Sequence, residues 1–345
     1  MKKNKLIFLI ILATIFSLIT KCSPTEPPDN ELKPGRRDYT WTVDTLEAPW
    51  DTYYRLWASS PNDVWATSPG DWDKSIAHYD GFRWSLYGIN GIVVPTSVFG
   101  FAWNSIFITA VNGAVWKYDG SWNKFAQLTK DGRTDIIFND LWGESANDLY
   151  VFGGYPYSIG AFNNSVIAHY FNNNWLILNT KGVNGLVAKL FKDFDKNLYI
   201  ITYKPGGGFH PDSSMIYEYN NLDFEKIYSS IWTGGLQSDI SLIDKEVYFI
   251  LGNRIAKRIN GQFQTFLQID NPNFYQRIWG RNEKDIFLFM TDGLAHYNGT
   301  DLQYLFTITK NPTQIFGAVI FEKEVFFLVY ESPTNLNLIY HGKLN

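Results

Sequence analysis

The five histidines are where chemistry would first be sought, because an imidazole can ligate a metal or move a proton near neutral pH. His78, His169 and His296 each stand directly before a tyrosine in similar segments, IAHYDG, IAHYFN and LAHYNG. Asp63, Asp148 and Asp285 recur in the same way, ahead of Val-Trp, Leu-Tyr and Ile-Phe. A metal site or an acid–base pair needs such groups in one place, whereas equivalent positions of separate repeats point along different radii. The histidines therefore read as packed or hydrogen-bonded on an outer strand. The aspartates read as acceptors that fix a turn through backbone N–H groups. His341 falls in the turn after its own segment, which leaves His210, in an irregular loop, for any other role. Asp71, Asp73 and Asp80 have no calcium-ligand spacing, and Gly206-Gly207-Gly208 is a Pro-flanked flexible turn, not a phosphate cradle. There is no Gly-x-Ser-x-Gly, His-Glu-x-x-His, P-loop or EF-hand motif, so no metal, cofactor or catalytic residue is expected.

The elements that must position these residues repeat. LWASSPNDVWATSPGDWDKSIAHYDGFRW (Leu56–Trp84) recurs at Leu141–Trp175 and Ile278–Leu302, and weaker copies begin at Val98, Leu190, Ile240 and Ile315. The residue before each aliphatic–aromatic pair is Asp63, Ser105, Asp148, Asn197, Glu246, Asp285 or Glu324, at spacings of 39–49 residues. Each copy reads as four short strands, in the first case a over 54–58, b over 63–67, c over 75–79 and d over 82–87. Asp80-Gly81, Asp119-Gly120, Asn260-Gly261 and Asn298-Gly299 supply tight c–d hairpins. Such a period predicts an all-β fold, a β-propeller of seven four-stranded blades, with six or eight as alternatives. The last copy lacks a fourth strand, and Tyr39–Leu46 (YTWTVDTL) resembles FRWSLY, so the N-terminal segment should complete the last blade. Trp57, Trp65, Trp142 and Trp279 then form inter-blade core, and Trp84, Trp122 and Trp175 cover blade flanks.

The repeats resemble a bacterial family of exported propellers with the consensus WGSSPNDVYAVG…HYDGxxW, many of them lipoproteins. The resemblance spans about seven-eighths of the chain and implies fold and extracytoplasmic location but no single activity. WD, kelch and Asp-box signatures do not match. Lys2, Lys3 and Lys5 followed by LIFLIILATIFSLI read as a signal peptide over 1–21, too short to span a ~30 Å hydrocarbon core comfortably. The only cysteine, Cys22, follows at once in a segment resembling a lipobox, which implies lipidation there; Lys21 departs from the small residue that pattern prefers. The alternatives are a short transmembrane anchor or an ordinary signal with an incidental cysteine. Residues 22–38 (Pro- and charge-rich) form a tether, and 39–345 the propeller. The formal charge of −4 hides a body of −8 after residue 21, which argues against nucleic acid.

Long b–c insertions concentrate on one face of such a propeller and carry Trp72, Tyr155, Tyr157, Phe162, Phe209 and His210. Aromatics among Asn, Gly and Ser suit stacking on a sugar or peptide; alternatively they fold back over the blades. The expectation is a monomeric, non-catalytic binding or scaffolding lipoprotein of the bacterial cell envelope, with a glycan or protein partner. The alternatives are a propeller-type glycan hydrolase or lyase, using Asp51, Glu144 and Arg281 at the channel mouth, and a structural subunit of an envelope complex. Carboxylates converging there with Arg or His would mark the enzyme.

Overall fold

The computed structural model describes residues 32–49, 51–70, 73–92, 94–156, 164–206, 212–232, 238–310 and 312–345. Among these there are 28 strands in seven four-stranded antiparallel sheets, and no helix. After β1 (Tyr39–Leu46), blade one holds β2 (Arg55–Ser60), β3 (Asp63–Thr67), β4 (Ile76–Tyr79) and β5 (Trp84–Tyr87). Blade two holds β6 (Pro95–Ala102), β7 (Ser105–Ala110), β8 (Ala114–Tyr118) and β9 (Trp122–Gln127). Blade three holds β10 (Ile137–Ser145), β11 (Asp148–Tyr155), β12 (Asn164–Phe171) and β13 (Asn174–Ile177). Blade four holds β14 (Leu186–Lys192), β15 (Leu198–Lys204), β16 (Ser213–Tyr219) and β17 (Phe224–Ile231). Blade five holds β18 (Ser238–Ile243), β19 (Glu246–Leu251), β20 (Arg254–Ile259) and β21 (Gln262–Gln268). Blade six holds β22 (Phe274–Asn282), β23 (Asp285–Met290), β24 (Gly293–Tyr297) and β25 (Leu302–Thr307). In blade seven, β26 (Thr313–Ile320), β27 (Glu324–Glu331) and β28 (Leu336–Leu344) are completed by β1. The protein is a seven-bladed β-propeller.

Closure follows the expected route. β1 pairs antiparallel with β28 from Tyr39↔Leu344 to Leu46↔Asn337. Trp41 covers the joint, its ring 4.9 Å from Phe306 and 6.2 Å from Phe327, over Gly342, where a Cβ would strike the indole. The compact unit runs Pro34–Asn345, and the Gly35 N–H and the Arg37 side chain bond to blade six. Turn chemistry sits where the dipeptides place it: Asn260 (φ 51°) and Gly261 (φ 76°) make the two left-handed positions of a I′ hairpin turn.

Seven separate hydrophobic clusters fill the seven interfaces between neighbouring blades, and the seam between blades seven and one is packed like the others. The second strand of each blade is almost wholly buried, because both its faces meet apolar neighbours. Trp142 and Trp65 are buried and Trp57 and Trp279 pack partly buried, as inter-blade core; Gly100 has no side chain because the Trp57 ring occupies that space.

Candidate functional site

The first strand of each blade runs from the face bearing the b–c and d–a loops to the face bearing the a–b and c–d turns. On the turn face the recurring acids and histidines turn out to be partners. His78 Nε2 lies 2.8 Å from Asp63 Oδ1, His169 Nε2 2.7 Å from Asp148, His296 Nε2 2.7 Å from Asp285 and His341 Nε2 2.7 Å from Glu324. Each imidazole packs on the ring two residues after its acid: Trp65 at 3.9 Å, Tyr150 at 3.9 Å, Phe287 at 4.7 Å and Phe326 at 3.9 Å between centroids. His341 lies within β28, opposite Phe326, and not in a turn as expected. The aspartates act mainly on these side chains rather than on turn N–H groups. Lys117, Glu218 and Lys257 take the histidine's place in the other blades; Lys117 lies over Phe107, Tyr199 donates to Glu218 and Lys257 pairs with Glu246.

Each pair ties the second strand of its blade to the third. Burial opposes ionisation of Asp285, yet bonds from His296 and Arg281 outweigh it and hold the carboxyl below its ordinary range. Asp63 behaves alike: burial opposes, and His78, Ser59 and Trp65 together prevail. Burial, against the Glu324 bond, pushes the His341 imidazole below its usual value. Arg37 Nε donates to His296 Nδ1 at 3.3 Å, so the ring proton facing Asp285 sits on Nε2.

The channel holds a second array. Counting two residues back from the inner-strand residue that faces each second-strand aromatic gives one level around the axis: Arg55, Ser97, Asp140, Lys189, Asp239, Arg277 and Gly317. In blades two, three, four, six and seven a register shift falls just above this level. Arg55 Nε donates to Asp140 Oδ2 at 2.7 Å, and Asp140 Oδ1 accepts the Leu141 N–H at 2.9 Å. Lys189 Nζ donates to Asp239 Oδ2 at 2.6 Å, and Asp239 Oδ1 accepts the Ile240 N–H at 2.8 Å. Arg277 donates to the Ile315 carbonyl at 2.7 Å. Burial, only partly offset by Arg55, pushes the Asp140 carboxyl up; burial likewise pushes the Lys189 ammonium down against Asp239. Arg55, Asp140, Lys189, Tyr203, Arg277, Trp279 and Phe316, from blades one, three, four, six and seven, line a cavity of ≈ 290 Å³. Side chains from five blades meet only on the axis.

Of the residues expected to contact a ligand, Trp72, Tyr157, Phe162, Phe209 and His210, like Cys22, lie outside the described residues. Tyr155 ends β11 on the loop face, half-buried, with the Arg133 guanidinium 5.2 Å from its ring, and lines a polar cavity with Lys130, Asn164 and Lys181. Asp51, Glu144 and Arg281 do not form the expected channel-mouth set. Asp51 is buried beside Asn337 at the seam, Glu144 is held by Lys196 and Lys192 on the turn side, and Arg281 binds Asp285 and the Phe321 carbonyl there. Carboxylates and arginines do converge in the channel, but they are Asp140, Asp239, Arg55 and Arg277, which sequence reasoning missed. Asp73 and Asp80 flank β4 at opposite ends, and Asp80 accepts the Phe82 and Arg83 N–H groups instead of standing ready for calcium. No group of three metal-binding side chains occurs among the described residues. Exposed Phe82, Trp103, Phe194 and Leu222 all sit at turns of the opposite face.

No protein-family model matches the chain, and no curated protein sequence does. Solved propellers share its fold. A catalytically inactive virginiamycin B lyase from Staphylococcus aureus with quinupristin aligns over 89% of this chain and 100% of its own, at 13% identity and TM-score 0.64. YCF48 bound to D1 peptide aligns over 90% and 99%, at 14% identity and TM-score 0.62. The extracellular domain of a one-component system from B. thetaiotaomicron aligns over 88% of this chain and 40% of its own, at 13% identity and TM-score 0.58.

Proposed function

We propose that this protein is an exported, lipid-anchored propeller of the bacterial cell envelope that holds a protein or glycan partner at the loop-bearing end of its channel without transforming it. The observation that carries this reading is how the channel charges are spent. Asp140 and Asp239 each accept from a cation and from a backbone N–H, so both carboxylates are engaged within the ring of blades, while the cavity beside them stays open for contact. His78, His169, His296 and His341, with their acids, are paired within the blades. Propellers solved with a bound peptide, or as the extracellular domain of a one-component system, are compatible with a binding role. The address rests on the Lys-led apolar segment and Cys22.

Glycan and peptide arrays probed with the full chain in detergent test the binding role. One ligand class should be retained by the parent and lost in Tyr155→Ala, Trp72→Ala or His210→Ala; variants that bind like the parent refute this face. Palmitate labelling should disappear in Cys22→Ser, and its persistence removes the anchor. A second reading, a lyase or glycan hydrolase, is favoured by two carboxylates and three cations at one channel level. It requires Asp140 to exchange Arg55 for substrate, so Asp140→Asn would abolish turnover while leaving binding intact.

A further inference from the structure

We infer that the channel takes a single carboxylate, carried at the tip of a slender ligand, with the Arg277 guanidinium as its anchor. This rests on the reading above that the loop-bearing end is a ligand face, and adds the chemistry recognised there.

The charges at the channel level do not cancel. Arg55 is matched by Asp140 and Lys189 by Asp239, which leaves Arg277 without a carboxylate partner among the described residues. Its one hydrogen bond there goes to the Ile315 carbonyl, which accepts the bond but carries no charge. A guanidinium presents five N–H donors in a planar fork, so most of that fork remains for a ligand. Arg277 faces the ≈ 290 Å³ cavity together with the Tyr203 hydroxyl, for which no hydrogen bond occurs among the described residues. Burial raises the Tyr203 hydroxyl far above its ordinary value, so it stays a neutral donor. Two donors of different kind, one charged and one neutral, therefore line the same cavity.

The geometry also limits the anion. One surplus positive charge is neutralised by a monoanion, whereas a doubly charged phosphate would set an uncompensated negative charge beside Asp140 and Asp239. Planar carboxylate oxygens match the guanidinium fork. The cavity sits between inner strands and is walled by Tyr54, Trp279 and Phe316, so it admits a chain end with an apolar neighbour and not the middle of a polymer.

The test is calorimetric titration of the full chain in detergent with N-acetyl-phenylalanine, its C-terminal amide, glucuronate and inorganic phosphate. The free acid should bind at least roughly tenfold more tightly than the amide, since a charge-assisted pair is lost. Phosphate should bind more weakly than the free acid. Tighter binding of N-acetyl-phenylalanine than glucuronate assigns a peptide end, and the reverse assigns an acidic sugar end; either supports the carboxylate site. Arg277→Gln should weaken the free acid by a similar factor and leave the amide unchanged. Asp239→Asn, which adds a second unmatched cation, should act in the opposite direction and tighten it, so loss of folding cannot mimic the pair of results. Equal binding of acid and amide, preference for phosphate, or no response to either substitution overturns the inference. If an array partner is bound equally by the parent and Arg277→Gln, the binding role stands and the carboxylate site alone fails.

Discussion

Replacing Asp285 by alanine is the sharpest probe of the acid–histidine pairs. Its carboxylate accepts from His296 Nε2 and from Arg281, both at 2.7 Å, and the His296 side chain is fully buried. Removing the acid strands a buried imidazole N–H and leaves Arg281 with the Phe321 carbonyl and the Tyr39 hydroxyl. Breaking a buried pair by deleting one partner costs about 3–5 kcal/mol. The two bonds that Arg281 keeps place the expected loss near the lower end, about 3 kcal/mol. Asp63→Ala removes the same kind of bond where the side chains are 18% and 27% exposed, so water replaces part of it and about 1–2 kcal/mol is expected. Urea denaturation of the full chain, followed by circular dichroism, measures both. The deficit of Asp285→Ala should also shrink in acid. The Asp285 carboxyl is held below its ordinary value in the folded state, so its contribution is complete above the unfolded value near 3.8 and is lost as pH falls through the folded one. A loss under about 1 kcal/mol, or equal losses at the two sites, would show that these pairs are incidental contacts.

Three further outcomes follow from the same packing. His341 is held below its ordinary value of 6.5 by burial, so the unfolded chain takes up that proton first and stability falls as pH drops below that value. His341→Gln should therefore lose less stability than the parent between about pH 7 and 5, read from urea midpoints; parallel curves refute the assignment. Trp41→Ala removes the ring that joins β1 to Phe306 and Phe327 and should cost about 2–4 kcal/mol, with faster proteolysis at the N-terminal strand than elsewhere. Gly261→Ala meets no atom within 4 Å and should cost only the left-handed backbone, about 1 kcal/mol by thermal melt, whereas Gly113→Ala, whose Cβ would lie 2.2 Å from the Leu128 carbonyl, should cost distinctly more.

The fold was legible because blade-forming residues repeat by type. The b strand predicted over 63–67 is β3 to the residue, and YTWTVDTL supplies the missing strand as its likeness to FRWSLY implied. The acid–histidine pairing was hidden by spacing. The partners lie 15, 21, 11 and 17 residues apart, because the intervening b–c loop changes length in every blade. Only cross-strand register makes the four pairs equivalent, and Lys117, Glu218 and Lys257 mask the position in the other three blades. The channel level was hidden for the opposite reason. Its positions are equivalent in structure but carry Arg, Ser, Asp, Lys, Asp, Arg and Gly, so no single residue type marks the position from blade to blade, and the register shifts above it break strict alternation.

That contrast bears on where function resides. A closed ring forces each blade to satisfy the same packing at its flanks, so residues there converge on a few solutions: an acid, an aromatic two places on, and an imidazole or other ionisable group across the strand pair. The channel imposes no such repetition, because seven equivalent positions face one axis and identical charges there would repel one another. Asp140 meets Arg55 across the small Ser97 of the intervening blade, and Asp239 meets Lys189 from its neighbour. Two different pairing geometries at one level lower the cost of burying four charges and still leave Arg277 over. A level selected for stability alone would gain by replacing that guanidinium with an apolar side chain beside Trp279 and Phe316. Its presence at the cavity wall is the feature that a purely structural ring does not require.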